Sequence, residues 1–198
     1  MKKIIAVILV AVMLLSFASC KKEETPEPVT GVPFDKETLA ISWQDGALVF
    51  PNGVVVYMPS NVKEIMTKSG FTIPSLQGMN DTVLKEGEEK TLRLVGTGVS
   101  LSIICKNTTK EPAEILDCSV VGYNITKSDD GNHQIKFAGT LTIDAERAAV
   151  EEVIGIDPDA EEDGVQYYKT KNSRNRNVEI RIKYNSNNLI NSIAFEIV

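Results

Sequence analysis

Histidine, aromatic residues and cysteine are scarce in this chain. Its 198 residues include 1 histidine and 3 cysteines, and aromatic residues make up 6%. His133 lies in a polar turn, so it has no clustered His or Cys ligands with which to bind zinc. A Ser-His-Asp set would have to use this same histidine, which has no local support. The low aromatic content also argues against an enzyme that stacks sugars.

Motifs for nucleotide binding and hydrolysis are absent as well. The chain has no G-x-S-x-G, no G-x-G-x-x-G and no P-loop. The segment DPDAEEDG, residues 157–164, concentrates carboxylates as a calcium loop does. It lacks the glycine at position 6 and the glutamate at position 12 of an EF-hand. We therefore expect no cofactor and no metal, and we interpret 157–164 as a solvated loop after a helix.

Charge of one sign predominates, since the net charge is −6. Nucleic acids and anionic surfaces repel such a protein, because binding to them depends on cationic side chains that release counterions. We therefore expect no nucleic-acid partner. The segment KTKNSRNRN, residues 169–177, is basic within this acidic chain. It is either a contact for an anionic polymer, a headgroup or an acidic partner, or a solvated loop between two strands.

The one long apolar run lies at the amino terminus. Two lysines precede residues 4–15, a run typical of a signal peptide and shorter than the roughly 20 residues of a membrane-spanning helix. Next comes Phe17-Ala18-Ser19-Cys20, which resembles the bacterial lipobox, although Phe17 stands where the lipobox favours leucine. The resemblance implies that 1–19 is a cleaved signal peptide and that Cys20 carries the lipid. Ordinary secretion and an uncleaved anchor are the alternatives.

A tether is predicted after the lipidated cysteine. Residues 20–34 carry three prolines among charged residues and show no apolar periodicity, which favours extended conformations. The leader and this segment together predict a lipoprotein of the bacterial cell envelope. The N-terminal lipid would bind the membrane, and the rest of the chain would face away from the cytoplasm.

The rest of the chain has the same order of elements twice, in 35–127 and in 128–198. Each half has strand-like runs and a helix that ends at a glycine. In the first half, Asn52-Gly53 predicts a β-hairpin. Asn61 is expected to cap a helix that ends at Gly70.

The second half is expected to begin its helix at Asp144 and to end it at Gly155. Apolar and polar residues then alternate along the last two strands, and pairing Tyr184 with Leu189 keeps the apolar sets on one side. One dry and one wet face predict an antiparallel sheet that helices cover on one side. We therefore predict an α+β fold of two tandem helix-plus-antiparallel-sheet units.

This order of elements resembles the tandem repeats of the β-lactamase-inhibitor-like fold. Small outer-membrane assembly lipoproteins of the SmpA/OmlA type share that fold in single copy. The segments NVKEIMTKSGF, ILDCSVVGYNI and IKYNSNNLINSIAFEI also resemble uncharacterised lipoproteins of Gram-positive anaerobes. Either resemblance covers residues 38–198 and implies a surface protein that binds other proteins.

The expected function is a non-catalytic envelope module that binds or assembles with another envelope protein through the wet face of the sheet or the edge between the two units. The aromatic candidates for such contacts are Trp43, Tyr57, Tyr167 and Tyr168, although aromatic residues are more often buried. The alternative is an envelope hydrolase that uses paired carboxylates, because the separation of two carboxylates is a three-dimensional property.

Two cysteines lie on neighbouring strand-like segments. The alternation places Cys105 and Cys118 on core-facing sides, and a register that sets them opposite each other is one of about three that fit the loop. An exported compartment permits a disulfide between them. The alternative is two buried, reduced thiols.

Overall fold

β-Sheet predominates among the residues that the structure describes. The computed structural model describes residues 43–75, 82–96, 99–127 and 134–198, which all belong to one compact unit. The predicted signal peptide, Cys20 and the tether lie outside the described residues, as does His133.

Thirteen strands and two α-helices lie within the described residues. In chain order they are β1 (Leu48–Val49), β2 (Val55–Val56), β3 (Ser60–Asn61), α1 (Val62–Ser69), β4 (Val83–Leu84), β5 (Glu89–Gly96), β6 (Val99–Lys106), β7 (Ala113–Glu114), β8 (Ser119–Thr126), β9 (Lys136–Phe137), α2 (Arg147–Ile154), β10 (Ala160–Glu162), β11 (Val165–Lys171), β12 (Asn177–Tyr184) and β13 (Ile190–Ile197). A short 3₁₀-helix, Ile115–Asp117, precedes β8.

Eight strands form one antiparallel sheet, which we call the main sheet. Its order is β10-β11-β12-β13-β8-β6-β5, and β3 also pairs with β8. The pairing of β8 with β13 runs from Thr126 opposite Ser192 to Gly122 opposite Glu196. It joins strands from the two halves of the chain edge to edge.

The smaller three-stranded sheet also mixes the two halves. Its order is β2-β1-β9, and Leu48 of β1 lies between Val56 of β2 and Phe137 of β9. A third pairing, between β4 and β7, stays within the first half. Strand β9, from the second half of the chain, thus completes a sheet that begins at residue 48.

The predicted α+β fold of two tandem helix-plus-sheet units is therefore wrong, because the chain is mostly β-sheet with large antiparallel pairings. The physical reason lies at the edges of the strands. Separate units would each leave an open edge, at β8 and at β13, with unpaired backbone N–H and C=O groups. Pairing β8 with β13 satisfies those groups and produces one continuous sheet.

The core lies on one face of the main sheet, which we call the inner face. Along β6 and β12, buried residues alternate with exposed or half-buried ones, as the period of two in a strand requires. The predicted alternation and antiparallel pairing are thus confirmed. Apolar residues of both helices and of the β2-β1-β9 sheet join the same core, among them Val62, Ile65, Val150, Ile154, Leu48 and Phe137.

Local signals in the first half are confirmed. The hairpin turns at Asn52-Gly53, where Phe50 N–H donates to Val54 C=O at 2.9 Å. Asn61 caps α1, since its Oδ1 accepts a hydrogen bond from Glu64 N–H at 2.6 Å. Gly70 ends this helix in the left-handed conformation, with φ of 75°.

The second helix starts differently from the prediction. Gly155 ends it with φ of 69°, as expected, but Glu146 occupies the N-cap and makes no side-chain capping bond. Asp144 has φ of 66°, and its carboxylate pairs with Lys127 at 2.8 Å. The predicted cap at Asp144 is therefore wrong, because Asp144 lies two residues before the N-cap and has a left-handed φ, whereas an N-cap is extended.

The last hairpin has a bulge that the alternation did not predict. Tyr184 lies opposite Ile190 rather than Leu189, and the register shifts between Lys183 and Tyr184. A bulge inserts one extra residue on one strand. The apolar residues of β12 and β13 still share the inner face because the shift occurs at the end of the ladder.

Candidate functional site

The outer face of the main sheet, opposite the core, carries the residues that alternate with the buried ones. Arg181 on β12 and Ala194 on β13 are half-buried, and Asn124 on β8 is exposed. They form a row across the sheet, because Arg181 lies opposite Ala194 and Ala194 lies opposite Asn124. The row continues to Ser102 on β6.

A hollow of about 490 Å³ lies on this outer face. Residues of β5, β6, β8, β11, β12 and β13 line it. Strands β11 and β5 are five spacings apart in the sheet order, which would be about 24 Å in a flat sheet. Since both strands line one hollow, the main sheet curves around it.

Small side chains at the centre of the outer face create the hollow. The floor consists of Ser192, Ala194, Asn124 and Ser102. One wall is formed by Tyr167, which lies opposite Arg181 across β11 and β12. Small residues on β13 and β8 beside larger ones on β11, β12 and β6 thus give the face a depression.

The hollow contains two cations. Arg181 donates to Glu196 at 3.1 Å and lies 3.7 Å from Glu179, both on the side away from Lys183. Lys183 is exposed and makes no ion pair with any residue that the structure describes. No carboxylate lies among the described residues that line the hollow. The described lining of the hollow therefore carries two cations and no carboxylate, while Glu179 and Glu196 pair with Arg181 from beside the hollow.

Only one of the four aromatic candidates belongs to this site. Tyr167 is half-buried and lines the hollow. Trp43 and Tyr168 are buried in the core, and Tyr57 is 43% exposed but lies elsewhere. The alternation along β11 distinguishes Tyr167 from Tyr168, because neighbouring residues of a strand point to opposite faces.

A polar network, not predicted from the sequence, connects α2 to the edge of the main sheet. Gln166 is buried, and its Oε1 accepts hydrogen bonds from the hydroxyls of Tyr168 at 2.9 Å and Tyr184 at 2.7 Å. Arg147 donates to both carboxylate oxygens of Glu161, at 2.9 and 2.7 Å. Burial raises the pKa of Tyr168 to about 12. Each side chain of this network forms a hydrogen bond with another side chain of the network, which indicates a structural role.

The acidic segment 157–164 is partly built into the sheet. Ala160–Glu162 forms the edge strand β10, and all three residues are exposed. The carboxylate of Glu161 in this strand forms an ion pair with Arg147 at 2.7 Å. No group of His, Cys, Asp or Glu in the described ranges could hold a metal ion.

The basic segment 169–177 comprises the end of β11, a loop at 172–176 and the first residue of β12. Asn172 Oδ1 accepts hydrogen bonds from Arg174 and Arg176 N–H. Asp45 Oδ1 accepts from Ser173 N–H at 2.9 Å and from its hydroxyl at 2.7 Å. These bonds explain the loop's shape, and no ligand is needed to order it.

The two core cysteines are free and buried. Cys105 lies opposite Val120, not Cys118, and the register shifts between Ile104 and Cys105. Cys118 directs its thiol to the carbonyl of Glu114 at 3.4 Å. The disulfide between them stays a prediction. Burial, and secondarily the charge that Cys118 would carry, raises the pKa of Cys105 to about 12.

This raised pKa predicts a loss of stability in alkali. The folded thiol keeps its proton up to about pH 12, whereas the unfolded chain releases it near 9.0. The unfolded state then binds fewer protons, so the free energy of unfolding falls as the pH rises above about 9. We expect Cys105→Ala to reduce this slope by up to about 1.4 kcal/mol per pH unit.

Urea unfolding between pH 8 and 10, with a reductant present, measures the slope. Below pH 10 the tyrosines of the unfolded chain stay mostly protonated, so the thiols dominate. Identical slopes for the wild type and Cys105→Ala would contradict the assignment.

None of the helices in the described part of the chain is long and apolar enough to cross a membrane. The chain matches no protein-family model, no curated protein and no solved structure. The resemblances to the lipobox and to β-lactamase-inhibitor-like repeats therefore stay predictions.

Proposed function

We propose that the protein is a non-catalytic, membrane-anchored lipoprotein of the bacterial envelope that binds another envelope protein through the outer face of its main sheet. One observation supports the proposal above all. The outer face curves around a hollow of about 490 Å³ with a small-residue floor, an aromatic wall and two cations. A hollow of this size accommodates a few side chains of a partner.

The chemistry of the hollow favours binding over catalysis. Ser192 lies opposite Lys183, but Lys183 is exposed, whereas a lysine that activates a nucleophile is desolvated. The carboxylates nearest Arg181, Glu179 and Glu196, are outside the hollow and in ion pairs. The hydrolase alternative has no observation in its favour among the described residues.

Site-specific photo-crosslinking in intact cells tests the proposal. A photoreactive phenylalanine analogue replaces Tyr167 at the wall of the hollow. In a matched control it replaces Tyr57, which is exposed but does not line the hollow. We expect a covalent adduct with one exported protein from position 167 only, identified by mass spectrometry.

A variant with a large side chain in the hollow provides the second arm of this experiment. Ala194→Trp occupies the floor, and we expect it to abolish the adduct while the purified variant keeps its circular dichroism spectrum. Equal adducts from positions 167 and 57, or none from 167, would contradict the proposal. Turnover of a wall polymer by the purified protein would then favour the hydrolase.

A further inference from the structure

We infer that the partner segment that occupies the hollow is acidic, and that two of its carboxylates pair with Lys183 and Arg181. The inference rests on the proposed function and specifies the chemistry of the partner. It follows from the charges that a partner would cover.

The free-energy cost of removing water from Lys183 determines which kind of partner can bind over it. This lysine has no ion pair among the described residues and is exposed to water. A partner seated on the hollow would remove that water, and a desolvated charge without a counterion is strongly unfavourable. A neutral or basic segment would leave the charge uncompensated, whereas an acidic segment supplies the counterion.

Arg181 has room for a second acceptor. Its guanidinium carries five N–H donors; Glu196 accepts one hydrogen bond and Glu179 lies 3.7 Å from Nε, which leaves N–H donors without an acceptor among the described residues. Glu162 lies on the same face one strand beyond Val165, so it stands at the rim and does not line the hollow. The centre of the face is thus free to accept negative charge.

The spacing of the two cations indicates an extended segment. Arg181 and Lys183 are two residues apart on one strand, which is about 6.6 Å along the backbone. Alternate side chains of an extended partner segment have the same spacing on one side. Acidic residues at positions i and i+2 of such a segment would therefore face both cations.

Designed peptides test this chemistry directly. The probe is an acetylated, fluorescein-labelled octapeptide of alternating Glu and Thr, and its matched controls carry Gln or Lys in place of Glu. Fluorescence anisotropy with the purified full chain in detergent measures binding. We expect the Glu peptide to bind at least about tenfold more tightly than the Gln peptide, with an affinity that falls as salt is added.

Reversing the charge of Lys183 tests whether the peptide binds at the hollow. We expect Lys183→Glu to weaken binding of the Glu peptide by at least about tenfold. The control, Lys63→Glu, changes an exposed lysine of α1 and should leave binding unchanged, because α1 contributes no residue to the hollow. Equal binding of the Glu and Gln peptides, no binding of the Glu peptide, or equal losses in the two variants would each overturn the inference.

The proposed function and the acidic partner can be refuted separately. If the adduct at position 167 forms in cells and is unchanged in Lys183→Glu, the proposed function stands and the acidic partner is refuted. If no adduct forms at position 167, the proposed function itself fails.

Discussion

Replacing Phe195 with alanine is expected to lower the free energy of unfolding by about 3–5 kcal/mol. Phe195 is 1% exposed and stacks on Tyr123, with ring centroids 5.5 Å apart. The pair lies where β13 meets β8, the pairing that unites the two halves of the chain. On its other side the ring packs against Gly46, where an added Cβ would lie 2.7 Å from Phe195. Truncation would leave a cavity in this junction.

Urea unfolding of the purified protein measures this loss. Phe195→Leu should cost less, because it fills part of the same space. The matched control is Val198→Ala in the adjoining carboxyl-terminal segment, since Val198 is 68% exposed and surface changes usually stay within about 0.5 kcal/mol. A loss of under about 1 kcal/mol for Phe195→Ala would show that the junction does not hold the fold together.

Replacing Cys20 with alanine is expected to move the protein from the membrane fraction to the medium, or to leave an unprocessed precursor. Without the thiol no diacylglycerol can be attached. Each buried methylene of an acyl chain contributes about 0.8 kcal/mol, so two or three chains hold a protein on a membrane durably. Cell fractionation and metabolic labelling with a fatty-acid analogue measure both effects.

A conservative change beside the cysteine provides the control. Ser19→Ala keeps a small residue before Cys20 and should leave lipidation and membrane association unchanged. Membrane association of Cys20→Ala with normal processing would refute lipidation as the anchor.

Features set by neighbouring residues could be predicted from the sequence. The cap at Asn61 and the helix ends at Gly70 and Gly155 each depend on a few consecutive residues, because a cap bonds the helix turn beside it. The hairpin at Asn52-Gly53 is equally local. The alternation along β12 also predicted which residues face the core.

Features that depend on distant residues could not be predicted in this way. Aspartate is a residue type that suits an N-cap, but Asp144 lies two residues before the N-cap Glu146 and forms an ion pair with Lys127. The bulge beside Lys183 shifts the register without any glycine or proline to mark it, and the one beside Cys105 depends on how β6 pairs with β8 near Gly122. The order of elements was interpreted as two units because a repeated order does not say which strand edges meet.

Some features of the candidate site depend on neighbouring residues and could be predicted, whereas others depend on distant residues and could not. Tyr167 could be named from the sequence as an aromatic residue on a strand with one wet face, and Arg181 and Lys183 as outward residues of β12. The hollow itself exists because β13 pairs with β8, which sets Ala194 beside Asn124. The sequence by itself thus determined the cap at Asn61, the helix ends at Gly70 and Gly155, the turn at Asn52-Gly53 and the alternation along β12, since these depend on contacts a few residues long. Only the tertiary structure decided which strands are neighbours, because that choice is made by backbone edges and apolar faces far apart in the chain.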